Sequence, residues 1–598
     1  MTEAPPLARA LPTALAALAV AGALGVLWLP DALSGQDGAS HIVTVSAALH
    51  PERHQGLLVA GWAPTGQIFH GLAWVFGHVL PLMAAAKAAL TVFLGLACVG
   101  AWLVARALGT DSRAAIAVAA AAVVGWPLAM GFYNFIGACA VGVLAFAATL
   151  RGRNALAALL LFVVAWAHTV AGLMFVVHTA AHAVFASPAL WKPQRRWLTW
   201  IAPLVGIVAL TRLVVGNHAD VGTGDLAHHY LTAAETLAGY VSLCFVGYSR
   251  VAWVLAPALV VVVAVAAARR DVTRVVAATL ACWTVGFAVV PFHVAGWAFA
   301  TPRILSVVHT LLGAAVPSRT LGGWAPVLVT LLAAAATLDG VAHAVEAGGR
   351  AGDAIDAFGD EPSGRTFIAV FEPRPADTIA PHAQPLIGVG GYATLNGGTY
   401  PGAFAIYPHY HSVLFAAPPN QLFPSTRDMF FLVESPCDAA TPACAETVAR
   451  WTDRIAAQAV HWDSVALVAA PDAVRNGLAA RGFDFSAPGL AKPRPAQVTF
   501  ALPQGAGAVD GAGGPATTIA RAGYLETVGW FLVRRWSAET VATGEPLTLG
   551  PLPAGETAVQ VFVDLDDNGE PNPGEPLLFQ RVLPLRPGQM INVESGGP

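Results

Sequence analysis

The sequence predicts a polytopic α-helical membrane protein that carries folded domains outside the bilayer. Three observations predict it. Of 598 residues, 56% are hydrophobic and 11% charged, against roughly 25% charged in an average soluble protein. That deficit leaves too few polar groups for a surface that faces only water. Apolar runs near the length needed to cross a bilayer, about 20 residues, recur through residues 1–343. Beyond about 362 the runs shorten and become β-rich, as in "TFIAVFE", "SVLFAA" and "MFFLVES". The net charge of −4 gives no basic footprint for nucleic acid.

About eleven segments of 1–343 read as transmembrane helices: Leu11–Leu29, Leu82–Leu108, Ala114–Met130, Tyr133–Leu150, Ala155–Ala167, Thr169–Phe185, Trp197–Val215, Val251–Ala268, Val275–Phe292, Ile304–Val316 and Trp324–His343. The fifth, sixth and tenth are short and demand little tilt or a thinned bilayer. The first has Arg9 ahead of its apolar core, as a signal peptide would, but no convincing small-residue cleavage site follows. With the N-terminus inside, the cytoplasmic ends carry Arg9, Arg106, Arg113, Arg151, Arg153, Lys192, Arg195, Arg196, Arg269, Arg270, Arg274 and Arg319. The outer connections carry far fewer basic groups, chiefly Arg53, Arg212, Arg250 and Arg303. That bias follows the positive-inside rule. It predicts a multi-pass protein of the cytoplasmic (inner) membrane. An odd number of spans then leaves everything after about 344 extracytoplasmic.

Two outer loops are long. The first, about 30–81, holds "LSGQDGASHIVTV" and then "APTGQIFHGLAWVFGHVLP". In the latter, Ile68, Leu72, Val75, Phe76 and Val79 recur at helical spacing. The stretch is too short and too rich in His to span, so it reads as an amphipathic helix at the outer interface. The other, about 216–250, is polar and then weakly amphipathic.

Strands alternating with the helical patterns "AETVARWTDRIAAQAV" and "DAVRNGLAARGF" predict an extracytoplasmic α/β domain over 362–503. Residues 504–518 read as a Gly/Ala-rich linker. Strands and turns over 519–598 predict a small β-sandwich-like module. Cys437 and Cys444 bracket a short polar loop, "SPCDAATPAC". In an oxidising compartment the pair suits a disulfide; the alternative is two free thiols.

The sharpest local motif is "DLDDNGEPNPGE". Asp564, Asp566, Asn568 and Glu575 take positions 1, 3, 5 and 12 of a calcium-loop pattern, with Gly569 at the turn and Glu570 at position 7. Alternating oxygens converge on one point, and the last Glu can bind through both of its oxygens. The flanks read as strands, not as EF-hand helices. The stretch resembles the calcium-loop hairpins of prealbumin-like and repeat-type surface domains of bacteria. The expectation is a structural Ca2+; the alternative is a polar turn without metal.

Asp37 is the acid that stands out in the first outer loop. It follows the first span closely and is the only acid between Asp31 and Glu52. After it come "PTGQIFHGLAWVFGHVLPLMAAAKAALTVFLGLACVGAWLVARAL" and a pair of short helices meeting at "AWAHTVAG". This order, over about 1–343, resembles the GT-C superfamily of integral-membrane glycosyltransferases, which includes protein mannosyltransferases and the aminoarabinose transferase. The resemblance lies in layout and hydropathy. It implies a GT-C-like membrane domain in 1–343 and transfer of a sugar from a polyprenyl-phosphate donor in the bilayer to an extracytoplasmic acceptor. It implies Asp37 as general base, with His41 beside it as the second catalytic candidate. It implies Arg303, in "FATPRILSVVH", and Lys87 as ligands of the donor phosphate. Many relatives carry two adjacent acids in this loop, and this chain has Asp37 alone. Either the mechanism is then metal-free or the chain is a relative without activity, and a divalent metal at the outer site stays open.

Other groups carry bland readings. His50 and His54, with His41, and His218, His228 and His229, with Asp220 and Asp225, read as polar groups facing water or headgroups rather than as a metal site. His178 and His182 share a helix face and read as a buried polar contact. His168 reads as a turn residue. "GVGGYATLNGG" lacks the strand–turn–helix setting of a phosphate loop and is set aside. Two other classes compete with the transferase. A transporter should show paired repeats and charges at mid-membrane, and neither is visible. A membrane-anchored binding or assembly protein would keep the same architecture.

Overall fold

Two helices from opposite ends of the membrane half set the frame: α1 (Pro6–Trp28) and the last long helix, α12 (Trp324–Phe358). In the computed structural model, residues 6–54, 57–59, 66–186, 248–269, 300–318, 323–358, 366–371, 387–396, 413–415, 432–433, 442–459, 464–468, 470–487, 490–494, 496–501, 517–528, 531–541, 547–552, 555–564, 577–585 and 589–594 are described. Small residues let α1 and α12 meet closely. Gly22 faces Thr337, Gly25 faces Val341, and Gly348 faces Pro30 and Ala32. Both partners advance together along the chain, so the helices run parallel. Two parallel crossings require an odd number of spans from the first to the last. The end of α12 therefore emerges on the same side as the loop that holds Asp37.

Between them lie α2 (Gly38–Leu49), α3 (Ile68–Gly77), α4 (Leu82–Leu108), α5 (Ser112–Val124), α6 (Trp126–Ala129), α7 (Tyr133–Leu150), α8 (Asn154–Ala167), α9 (Thr169–Ala186), α10 (Ala252–Ala268) and α11 (Ala300–Ala314). Five described helices are long and apolar enough to cross a membrane: Ala10–Trp28, Leu82–Leu108, Ser112–Ala129, Tyr133–Leu150 and Trp324–Asp353. Several shorter apolar helices join them, and the chain is a multi-pass membrane protein. The expected spans Trp197–Val215 and Val275–Phe292 lie outside the described residues.

Three details differ from the sequence expectation. The segment expected as one helix from Ala114 to Met130 breaks at Gly125. Pro127 has no N–H for the ladder, so the last turn restarts as α6. The last span runs to Phe358 rather than His343. At about 1.5 Å per residue, its 35 residues exceed the ~30 Å hydrocarbon layer, so its polar end continues into the outer domain. The interfacial helix exists as α3, but its expected apolar face is divided. Phe69 and Ala73 are buried in protein, whereas Val75 and Val79 stay exposed. The fixed side is set by Asn134, whose Oδ1 accepts from Phe69 N at 2.8 Å.

The outer domain centres on a five-stranded sheet of order β4-β2-β5-β7-β6: β2 (Thr366–Val370), β4 (Leu432–Val433), β5 (Ser464–Val468), β6 (Phe483–Ala487) and β7 (Leu490–Pro493). β2 is parallel to both β4 and β5, and β7 is antiparallel to β5 and β6. Helices α13 (Pro442–Ala459) and α14 (Asp472–Ala480) accompany it. Trp451, Ile455, Val474 and Leu478 pack with Val465 and Leu467 of β5. A short antiparallel pair joins β1 (Leu57–Val59) of the first loop to β3 (Val413–Phe415).

The remaining strands form two sheets. One is β10-β9-β12-β13, from β9 (Thr517–Val528), β10 (Phe531–Val541), β12 (Gly555–Asp564) and β13 (Leu577–Leu585). The other is β11-β8-β14, from β8 (Ala496–Ala501), β11 (Leu547–Leu552) and β14 (Met590–Glu594). β8 pairs with strands on the far side of the 504–518 linker, so the terminal sheets draw on residues ahead of it. Asp564 is the last residue of β12. Asp566, Asn568, Glu570 and Glu575 of the calcium-loop pattern lie outside the described residues.

Helix α2 lies between the two halves. Ala39, Ile42 and Val45 join a core made of bundle residues together with Val389, Tyr392, Ala466 and Leu490. Val43 and Ala47 join the core under the outer sheet. Nearly the whole helix is buried.

Candidate active site

Asp37 sits where α1, α2, the α6–α7 turn and the outer domain meet. Pro30 follows the end of α1 and turns the chain out of the helix. The segment then crosses the α6–α7 turn by main-chain bonds: Gln36 N donates to Ala129 O at 3.1 Å, and Asp37 N to Met130 O at 3.0 Å. Gly131 makes that crossing possible. Its φ is +73°, and a Cβ there would stand 2.2 Å from Gly38 N, so no other residue fits.

Asp37 occupies the N-cap position of α2, a place where Asp normally accepts from the first free amides. Here its carboxyl makes no such bond. Gly35 O takes Gly38 N, and Asp37 O takes His41 N. The carboxyl is buried and within electrostatic reach of Arg303 on α11 and Tyr133 on α7. Burial pushes its pKa up to about 7, and the Arg303 guanidinium pulls against that shift. The positive end of α2 acts in the same direction as Arg303.

Arg303 comes from the outer end of α11. Its guanidinium lies 4.3 Å from the centre of the Phe132 ring, a cation–π contact. Its Nε is buried with no hydrogen-bond partner among the described residues. One turn further along α11 a small apolar recess with room of about 30 Å³ is lined by Phe135, Ile136, Val143, Phe175 and Val307 with Ser306 and Thr310. Ser306 Oγ is also buried without a partner among the described residues.

The other expected residues fall nearby in different roles. His41 Nδ1 lies 2.8 Å from His70 Nε2, and His70 Nδ1 lies 2.9 Å from Gln67 Oε1. Burial holds His70 down at about 3, so it is neutral at working pH. With Gln67 Oε1 accepting, His70 protonates Nδ1 and accepts His41 Nδ1–H at Nε2. Lys87 is buried, and its Nζ donates to Pro30 O at 2.5 Å and Asp31 O at 3.4 Å. It holds the bend that follows α1. His54 bonds Ser46 Oγ at 2.9 Å, and burial lowers it to about 4. Cys444 is buried and disulfide-bonded; Cys437, its expected partner, lies outside the described residues. So do His218, His228 and His229. Among the described residues no group of three His, Cys, Asp or Glu is placed to hold a metal ion.

Away from the site, the rings of His178 and His182 stand edge-on to Phe146 at 4.4 and 5.4 Å. His168 accepts from Ala171 N at 3.4 Å as α9 begins.

Sequence reasoning missed three tyrosines. Tyr248 donates to Ser34 O, and its hydroxyl lies 2.8 Å from Ser34 Oγ. Tyr392 donates to Leu33 O at 2.6 Å. Tyr133 is fully buried, and its hydroxyl finds no partner among the described residues. A Cβ on Gly38 would stand 2.4 Å from that hydroxyl. No periodicity announces these residues, because each is defined by a contact far away in sequence.

No protein-family model and no curated protein matches the chain. Among solved structures it is similar to ArnT from Cupriavidus metallidurans. Against the apo state the TM-score is 0.40 at 12% identity, covering 64% of this chain and 84% of that one. Against the same protein bound to undecaprenyl phosphate the TM-score is 0.38, at the same identity and coverage. Likeness of that extent assigns no residue and no reaction to this chain.

Proposed function

We infer that the protein is a membrane glycosyltransferase with a GT-C-like membrane domain. It moves a sugar from a polyprenyl-phosphate donor to an acceptor hydroxyl on the extracytoplasmic face. The observation that carries this reading is that buried Asp37 and buried Arg303 lie within electrostatic reach of each other. An acid whose carboxyl does no capping faces an arginine with a spare N–H, at the end of the bundle that bears the outer domain. Arg303, with its unpartnered Nε, suits the donor phosphate. Asp37 takes the proton of the acceptor hydroxyl as its oxygen attacks the anomeric carbon. The sugar–phosphate bond breaks, and the released phosphate keeps the electron pair beside Arg303. His41 is held by the His70–Gln67 chain and stands behind Asp37 on α2. The basic residues of the opposite ends support an extracytoplasmic position for this face in the cytoplasmic membrane.

A base must be ionised to act. With Asp37 near 7, the rate is expected to rise about tenfold per pH unit below that value and to level off above it. The test is the pH profile of kcat/KM, using purified protein in nanodiscs and a panel of synthetic undecaprenyl-phosphate sugars. Binding of undecaprenyl phosphate is read by native mass spectrometry. Absence of both binding and transfer across the panel would end the reading.

The terminal hairpin carries a separate expectation, a structural calcium ion held by Asp564, Asp566, Asn568, Glu570 and Glu575. Because β8 belongs to the terminal sheets, the full chain is the right sample. Calcium at 100 times its Kd should stabilise its site by about 2.7 kcal/mol. A raised Tm of the unfolding transition assigned to the terminal sheets, lost in Asp564→Ala, is expected. An unchanged Tm at millimolar calcium would leave the loop as a turn.

A further inference from the structure

The strip Gly388–Tyr392 belongs to the outer part of the chain, in a 3₁₀ segment spanning Ile387–Asn396. It lies against the segment that carries Asp37. A Cβ at Gly388 would stand 1.8 Å from the carbonyl oxygen of Gln36 and 2.7 Å from its carbon. No side chain fits there. At Gly391 a Cβ would stand 3.0 Å from that of Ala39. Tyr392, fully buried, holds Leu33 O. On the other side stand Gly131 and the carbonyls of Ala129 and Met130. Residues 33–39 are thus held between two surfaces, one from the bundle and one from the outer domain. The Gly388 and Tyr392 contacts are to main-chain atoms, so they fix the course of the backbone whatever the side chains do.

We propose that the strip Gly388–Tyr392 is the positioning element for Asp37, so that the outer domain sets where the carboxyl stands and the transfer step requires both halves of the protein. The proposal rests on the reading of Asp37 as the base. A displacement of about 1 Å in such a group is enough to cost roughly 10²-fold in rate. Releasing the strip also admits water beside Asp37. That lessens the burial which raises Asp37. The ionisable groups acting on Asp37 are Arg303 from α11 and Tyr133 from α7; Tyr392 from the strip and Tyr248 ahead of α10 act in turn on Tyr133, and His41 of α2 is bonded to His70.

The test uses the full chain in nanodiscs and the variants Tyr392→Phe and Gly388→Ala. Dicyclohexylcarbodiimide, which modifies protonated carboxyls in apolar surroundings, is the probe. Its adduct on the Asp37 peptide is followed by mass spectrometry against pH. In the wild type the labelling midpoint is expected near 7. In both variants it should fall by at least one pH unit. Transfer should drop at least tenfold in kcat, with donor KM within twofold. Should Gly388→Ala fail to fold, Tyr392→Phe, which keeps the ring, decides alone. A midpoint unmoved in a folded variant overturns the proposal, since a merely structural strip would lower Tm and yield without moving it. Asp37→Asn is assayed alongside. If it transfers as well as the wild type, the base reading falls, while the labelling still reports whether the strip holds Asp37.

Discussion

Asp37→Asn is expected to lose sugar transfer by roughly 10²–10⁴ in kcat, with binding of undecaprenyl phosphate retained. The amide keeps the size and most of the contacts of the carboxyl but cannot take a proton. The same substitution should stabilise the fold above pH 7. Asp37 is raised from the ordinary carboxylate value to about 7, so the folded state holds a proton that the unfolded chain releases. Stability tied to this group is complete below pH 4 and is lost as pH climbs toward 7. Asparagine carries no such penalty. At pH 8 the variant should melt above the wild type, by a margin of the order of a few kcal/mol at most. At pH 4 the two should melt together. Inactivity joined to that crossing pattern separates lost chemistry from lost structure. Wild-type turnover by the variant would remove Asp37 from the mechanism.

Arg303→Ala is expected to have the next largest effect. Hydrogen bonds to charged groups contribute roughly 1.5–3 kcal/mol each, so one lost contact to the donor phosphate weakens kcat/KM by about 10- to 150-fold. The loss should appear in donor binding as well as in turnover, because the phosphate is present in both states. Removing the guanidinium also removes the charge that pulls Asp37 down. The rising limb of the pH profile should therefore move to higher pH, opposite to the shift expected for Tyr392→Phe. Arg303→Lys keeps the charge without the planar fork and should restore the limb while recovering only part of the affinity. An Arg303→Ala protein with wild-type donor affinity would place the phosphate elsewhere.

The legible parts of this protein were those set by local pattern. Tyr133–Leu150 and Leu82–Leu108 were readable to the residue, because lipid imposes a run of apolar side chains of a given length and loops end it. Asp37 stood out because charged groups are sparse there. Lys87 read as a phosphate ligand because a cation near an outer helix end looks alike in sequence whatever it holds. Its two carbonyl partners come from the bend just after α1. The glycine-rich stretch 388–398 was set aside for lacking a phosphate-loop context. That judgement tested it against one local motif, whereas Gly388 and Gly391 answer to close approach by Gln36 and Ala39.

Composition and charge by themselves determined that the chain is a multi-pass membrane protein with a change of character near residue 360, because the cost of burying polar groups in lipid acts on every residue in a run. Only the tertiary structure decided that Asp37 lies within electrostatic reach of Arg303 and Tyr133, that Tyr392 holds the segment carrying it, and that helix α2 is enclosed between bundle and sheet. Those meetings join positions hundreds of residues apart. They depend on helix packing and main-chain contacts, which leave no period in the sequence.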